Sequence, residues 1–349
     1  MKTKLFFFWA LSQMFTSGQS VFIPQPSADR WMYPYNSSPG SRPVASTFSA
    51  LPSLGGVSDR FGQMLMRFHT ATAGIPAGLG AANYRISKVV LRATTFSEQS
   101  FRYDPTPDPW QSYAVATMAD ADVGRPVELF GLGFRNGFTA LTFQETSPYG
   151  GSAPGGQNAF ALGFTPAGQA RDVSDNVTQK FDPLPWAVGT CAGHAPGAWV
   201  NADTTMEFTV NLHVPGVRQY IAQALQDGVL WLSLSSLHPA IQQGGEYADF
   251  HTKESPLHDL DGNAAPSLEI EYEIVLPQPT LTRNPLTGVV TLQWPALPGF
   301  TYQLQKSTTL LSQSWQTIHT VTSVSTAPQQ WQGVSHENKA FFRIIRTRP

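Results

Sequence analysis

MEFTVNLHVPGVRQYIAQALQDGVLWLSLSSLH, residues 206–238, changes its apolar period twice, and each change marks a new kind of element. Phe208, Val210 and Leu212 alternate with Glu207, Thr209 and Asn211, the period of a strand with one apolar face. From Val217 the apolar residues Ile221, Ala224 and Leu225 recur at helical spacing. Pro215 suits a first turn and Asp227-Gly228 a stop. Val229, Leu230, Trp231, Leu232 and Leu234 then make a strand dense enough in apolar residues to be buried on both faces. Strand, short helix and strand form a scaffold without evident chemistry.

Outward from this stretch the chain reads as all-β. It has 349 residues, enough for two domains with cores of their own; charged residues are 13%, Gly (29) and Pro (28) are frequent, and helix-period stretches are rare. Strands are expected at Gln63 to His69, Ser87 to Thr95 and Glu269 to Val275. A pair is expected at Val127 to Phe130 and Thr139 to Gln144, joined through Asn136-Gly137 as a hairpin. Residues 21–58, rich in Pro, Ser and Gly, read as an N-terminal arm whose Trp31, Tyr33 and Tyr35 pack on the sandwich. The main sandwich is placed at 59–276 and a proline-stiffened linker at 277–280. In 281–349 the alternation of Val290, Leu292 and Trp294, then Tyr302 and Leu304, marks a second, small sandwich.

At the N-terminus Lys2 and Lys4 precede the apolar run Leu5 to Leu11, and Gly18-Gln19-Ser20 offers small residues before a cut. This is the pattern of a secretory signal over residues 1–20, and the run falls short of the roughly 20 apolar residues of a spanning helix, so no transmembrane segment is expected in the mature chain. Its removal leaves 20 basic against 24 acidic residues. A mildly acidic protein without basic clusters sets aside nucleic acid and anionic membranes as partners. The single Cys191 excludes an internal disulfide.

The stretch 206–238, followed by Tyr247-Ala-Asp-Phe-His-Thr-Lys-Glu-Ser255 and Pro266-Ser-Leu-Glu-Ile-Glu-Tyr272, resembles the end of secreted bacterial β-sandwich modules of the DNRLRE type, which look like distant relatives of carbohydrate-binding jelly rolls. Asp59-Arg-Phe-Gly-Gln-Met-Leu-Met-Arg-Phe68 and Ile86-Ser-Lys-Val-Val-Leu-Arg92 are similar to their opening strands, and the likeness covers roughly residues 28 to 276. The signature Asp-Asn-Arg-Leu-Arg-Glu string is absent. A longer pattern, from Asp29-Arg-Trp-Met-Tyr-Pro-Tyr35 to Gly124 through Gly137, looks like uncharacterised secreted proteins of planctomycete and verrucomicrobial type. The last fifth resembles the small immunoglobulin-like or fibronectin-like domains that end many secreted bacterial proteins. The resemblance implies a jelly-roll-type sandwich with one short helix, a small immunoglobulin- or fibronectin-like sandwich after it, and a polysaccharide or another cell-surface component as partner.

Candidate chemistry is sparse. Gly189-Thr-Cys-Ala-Gly193 imitates a nucleophile elbow, but Pro196 and Gly197 follow at once where a helix would have to start. Asp249, His251 and Lys253 share one strand face by alternation, with Glu254 adjacent; a polysaccharide-degrading enzyme would use Asp249, His251 and Glu254, and the plainer reading is a solvated face with an ion pair. Asp259, Asp261 and Asn263 offer hard oxygen ligands for a structural calcium, or form a plain turn. His69, His213 and His238 read as core or edge histidines. The positive hint is aromatic: Tyr103, Trp110 and Tyr113, then Trp186 and Trp199, sit in proline-rich loops where a flat ring can stack on a sugar, with Asp104, Asp108 and Asp182 as acceptors for its hydroxyls. The same rings could instead plug the ends of the sandwich. The expected function is a non-catalytic, secreted binding module for polysaccharide, against a structural or adhesive envelope protein with a protein partner.

Overall fold

A computed structural model describes residues 18–50, 57–115, 118, 122–151, 153–238, 245–256, 264–275, 278–335, 337 and 339–347. The chain is an all-β sandwich protein with two compact units, one of residues 18–77 and 86–272, the other including 78–85 and 273–347.

The larger unit holds β1 (Gln19–Ile23), β2 (Ala28–Met32), β3 (Val44–Thr47), β4 (Gln63–Phe68), β5 (Tyr84–Thr94), β6 (Glu128–Phe134), β7 (Ala159–Phe164), β8 (Ala170–Asp172), β9 (Ala187–Val188), β10 (Thr190–Cys191), β11 (Thr205–Thr209), β12 (Leu230–Ser235), β13 (Ala248–His251) and β14 (Ser267–Ile274). One sheet has the order β1-β14-β5-β11-β10, a second the order β2-β4-β12-β6-β7-β8 with β9 also on β6, and β3 pairs with β13. β14 alternates between core and solvent at every residue. Its outward Glu269 and Glu271, with Lys88, Arg92 and Glu207, form a ladder of exposed ion pairs. β12, in the middle of the second sheet, is buried at every position, as its apolar density predicts.

Among the described residues two α-helices accompany the strands: a single turn, α1 (Gln111–Ala114), and α2 (Val217–Asp227). α2 buries Val217, Ile221, Ala224 and Leu225, the residues at helical spacing in the sequence. It ends where Gly228 takes a left-handed conformation; Gly228 N donates to Leu225 O and Val229 N to Ala224 O, which satisfies two otherwise orphaned carbonyls.

Two expectations are corrected. Asn136 and Gly137 do form a tight turn, both with positive φ, but Thr139 to Gln144 is no strand. Thr142 Oγ1 accepts Thr139 N, Thr139 Oγ1 accepts Thr142 N, and Ser147 Oγ accepts Gln144 N, so hydroxyls take the backbone donors a ladder would need. Residues 138–149 instead run as turns over one face of the second sheet, where Phe143 packs with Leu65, Leu132 and Trp231, and β6 pairs with β7. Residues 21–58 are likewise no appended arm. They supply β2, β3 and most of β1, strands of four or five residues too short to show a period amid Pro, Gly and Ser. Gln19 and Ser20, at the end of the expected signal segment, belong to β1: they pair with Tyr272 and Glu271, and Tyr272 donates its hydroxyl to Gln19 Oε1 at 2.7 Å. Residues 1–17 lie outside the described residues.

The smaller unit has β15 (Thr280–Arg283), β16 (Val289–Trp294), β17 (Thr301–Ser307), β18 (Gln316–Thr322), β19 (Gln329–Val334) and β20 (Phe341–Thr347). They form two three-stranded sheets, β15-β16-β19 and β18-β17-β20. The first, second and fifth strands stand in one sheet and the fourth, third and sixth in the other. Val290, Leu292, Trp294, Tyr302, Leu304 and Ile344 make its core, and Leu297 N donates to the buried Tyr302 hydroxyl at 2.7 Å. Among the described residues no helix is long and apolar enough to cross a membrane.

Candidate functional site

The loop aromatics divide. Trp186 is wholly buried: its ring stacks on Phe164 at 6.1 Å, meets Tyr220 edge-on at 4.9 Å and lies over Gly131 of β6, where a Cβ would come within 2.2 Å of the indole. A proline-rich loop has therefore delivered a core residue, because a glycine on the neighbouring strand leaves the space for it. Tyr103 is also buried, and burial holds its hydroxyl protonated above the ordinary range. Trp110, Tyr113 and Trp199 are half-buried. Asp182 Oδ1 accepts Trp110 N at 2.6 Å, the Tyr113 hydroxyl donates to Asp108 at 2.8 Å, and the Arg102 guanidinium lies 4.3 Å over the Trp199 ring. Asp104 accepts both the amide and the hydroxyl of Thr106. The three aspartates thus hold the proline loop in shape rather than standing free as sugar acceptors.

The larger aromatic surface is elsewhere. On β2 and the turn after it, Trp31, Tyr33 and Tyr35 are spaced two apart; Trp31 and Tyr33 stack at 4.3 Å, and Tyr33 meets Tyr35 edge-on at 5.5 Å. Phe48 and Phe61 form the floor beneath them, and Tyr247 adds a rim at 5.5 Å from Phe48. Trp31 is fixed by its Nε1, which donates to Ser46 O, and its free face carries the Arg42 guanidinium at 5.1 Å. Tyr35 is 71% exposed. The strand spacing of these three aromatics is visible in the sequence; that Phe48 and Phe61 come up beneath them is not.

The residues weighed for catalysis enter separate networks. Asp249 accepts both Ser97 N and Ser97 Oγ, while burial raises its pKa. His251 is buried between Ser255 Oγ at 2.7 Å and Asp203 Oδ1 at 3.1 Å. A serine, a histidine and an aspartate in line imitate a hydrolase triad with the exposure reversed: Ser255 is 3% exposed while the Asp203 side chain is 65% exposed. A nucleophile facing inward meets no substrate. Glu254 pairs with Lys253. The Cys191 thiol is buried and pushed up to about 12, which keeps the thiolate from forming at neutral pH.

Asp259, Asp261 and Asn263 lie outside the described residues. Among the described residues two acidic groups have metal-ligand spacing, Asp104 with Asp108 and Asp122, and Asp29 with Glu145 and Glu254. Thr106 Oγ1 bridges Asp104 and Asp122, and Arg125 approaches Asp108 at 3.9 Å, so the first group is knit by the chain's own donors.

No protein family, no curated protein and no solved structure matches this chain.

Proposed function

We propose that the larger unit is a non-catalytic binding module for polysaccharide, in a secreted protein, and that it binds through the patch of Trp31, Tyr33, Tyr35 and Tyr247. The observation that carries this reading is the patch itself: Tyr35 exposed and Trp31, Tyr33 and Tyr247 half-buried, packed over a floor of the buried Phe48 and Phe61. Flat aromatic faces held by a sheet lose little entropy on stacking against the apolar faces of sugar rings. Sandwiches host many roles, so the reading rests on the patch and not on the fold.

The test is retention of the full chain on a panel of insoluble polysaccharides and a glycan array, with Tyr33→Ala and Tyr35→Ala beside Trp110→Ala. Binding that falls roughly tenfold in each tyrosine variant, about 1.4 kcal/mol, and survives in Trp110→Ala supports the patch. Loss only in Trp110→Ala would move the site to the proline loop, and no retention on any glycan would sink the reading.

A second reading is an adhesive protein that binds another protein through the smaller unit, whose separate turns expose Leu286 (94%), Leu311 (71%) and Val324 (92%). We assign no catalytic role to Asp249, His251 or Glu254.

A further inference from the structure

Three carboxylates from distant parts of the chain meet in the larger unit. Asp29 stands on β2, Glu145 in the turns over the second sheet and Glu254 in the turn after β13; one oxygen of each lies within 4.8 Å of the other two. Lys253 is the ammonium among them, 3.0 Å from Glu145 Oε2 and in contact with Glu254 Oε1, while its amide donates to Asp29 Oδ2 at 2.8 Å. Arg30 donates to the carbonyls of Glu145 and Ser147 and Arg67 to the side chain of Gln144, and both guanidiniums also act on the Glu145 carboxylate through space.

The decisive feature is what the carboxylates lack. Asp29 is 0% exposed, and its Oδ1 is buried without a hydrogen-bond donor; Glu254 Oε2 is in the same position. Buried carboxylate oxygens facing one another need a positive species between them, a proton or a metal ion. Oxygen-only donors suit a hard cation. Calcium takes carboxylates in loose, flexible geometry, whereas magnesium demands a near-ideal octahedron and keeps most of its waters, so carboxylates from three separate segments suit calcium.

We propose that Asp29, Glu145 and Glu254 form a calcium site that fastens β2, the turns of residues 138–149 and the turn after β13 together, with the Lys253 ammonium as the internal competitor that the ion displaces. This site is independent of the polysaccharide reading and draws on none of Asp259, Asp261 and Asn263.

The test titrates calcium chloride into the chelator-treated full chain by calorimetry, with thermal melting alongside, for the wild type, Glu254→Gln and Lys253→Met, each checked for native near-ultraviolet circular dichroism. The proposal expects the wild type to bind calcium and melt higher with it. Affinity should fall by about tenfold or more in Glu254→Gln and rise by about tenfold in Lys253→Met, where the competing ammonium is gone. Were Glu254→Gln not to fold, the gain in Lys253→Met would still decide. Absence of binding in both the wild type and Lys253→Met at about 10 mM calcium, well above the range of extracellular calcium modules, would overturn the proposal in favour of a shared proton. Binding left unchanged by both substitutions would overturn it too, by placing the ion elsewhere.

Discussion

His238 is 1% exposed, edge-on to Phe101 at 6.4 Å, and burial, with the Arg125 charge nearby, pushes its pKa down to about 3. The folded protein therefore holds it neutral, whereas the unfolded chain protonates it near pH 6.5. Its contribution is complete above that value and is lost as pH falls from about 6.5 toward 3, on the order of 3 kcal/mol by pH 4. Urea unfolding from pH 7 to pH 4 should accordingly fall off less steeply in His238→Leu than in the wild type; parallel curves would show that His238 does not titrate with folding. A second residue-scale prediction concerns Gly131. A Cβ there would come within 2.2 Å of the Trp186 indole, so Gly131→Ala should lower stability by roughly 1–3 kcal/mol, read as a fall in the denaturation midpoint. An unchanged midpoint would mean that the indole has room to shift. The sequence puts Trp186 directly after Pro183 and Pro185, in what reads as a surface loop. Its burial depends on a glycine far away in the chain, and no local pattern carries that pairing.

At the scale of elements, α2 is joined to the second sheet by one hydroxyl. Tyr220 Oη accepts Leu132 N at 3.1 Å and lies 2.9 Å from Leu132 O and 3.2 Å from Trp231 O, serving β6 and β12 together. Tyr220→Phe keeps the ring against Trp186 but takes the acceptor from the Leu132 amide and the one donor shared between the Leu132 and Trp231 carbonyls. It should cost about 1–3 kcal/mol, and hydrogen exchange should speed up at the Leu132 amide before it does at Leu65 or Phe208. Uniform acceleration at all three would show that the hydroxyl is no local tie. α2 and β12 are legible in the sequence because what decides them is local: a 3.6-residue period closed by Asp-Gly, and a dense apolar run. The segment after Asn136-Gly137 is not, because a hairpin signal fixes the turn and leaves the fate of the next strand to Thr139, Thr142 and Ser147. The short strands of residues 19–47 are fixed by partners such as β14 and β4 that lie far along the chain.

At the scale of the whole molecule, the division into two sandwiches shows in the sequence because each has its own run of alternating apolar residues, with prolines between them. The aromatic patch is half legible: Trp31, Tyr33 and Tyr35 announce themselves, whereas Phe48, Phe61 and Tyr247 join only through the fold. The carboxylates of Asp29, Glu145 and Glu254 stand in three segments that nothing local connects. The smaller unit owes its core to its own strands: Trp294 and Tyr302 are buried among Val290, Leu292, Leu304 and Ile344, and both sheets are complete within residues 280–347. A unit whose apolar residues find their partners within itself should fold without the rest. A fragment of residues 278–349 should therefore unfold cooperatively on heating, with near-ultraviolet dichroism from Trp294, at the midpoint of one of the transitions of the full chain. A fragment with no cooperative transition would mean that this core needs the larger unit, and the reading of the smaller unit as a separable adhesive domain would fall with it.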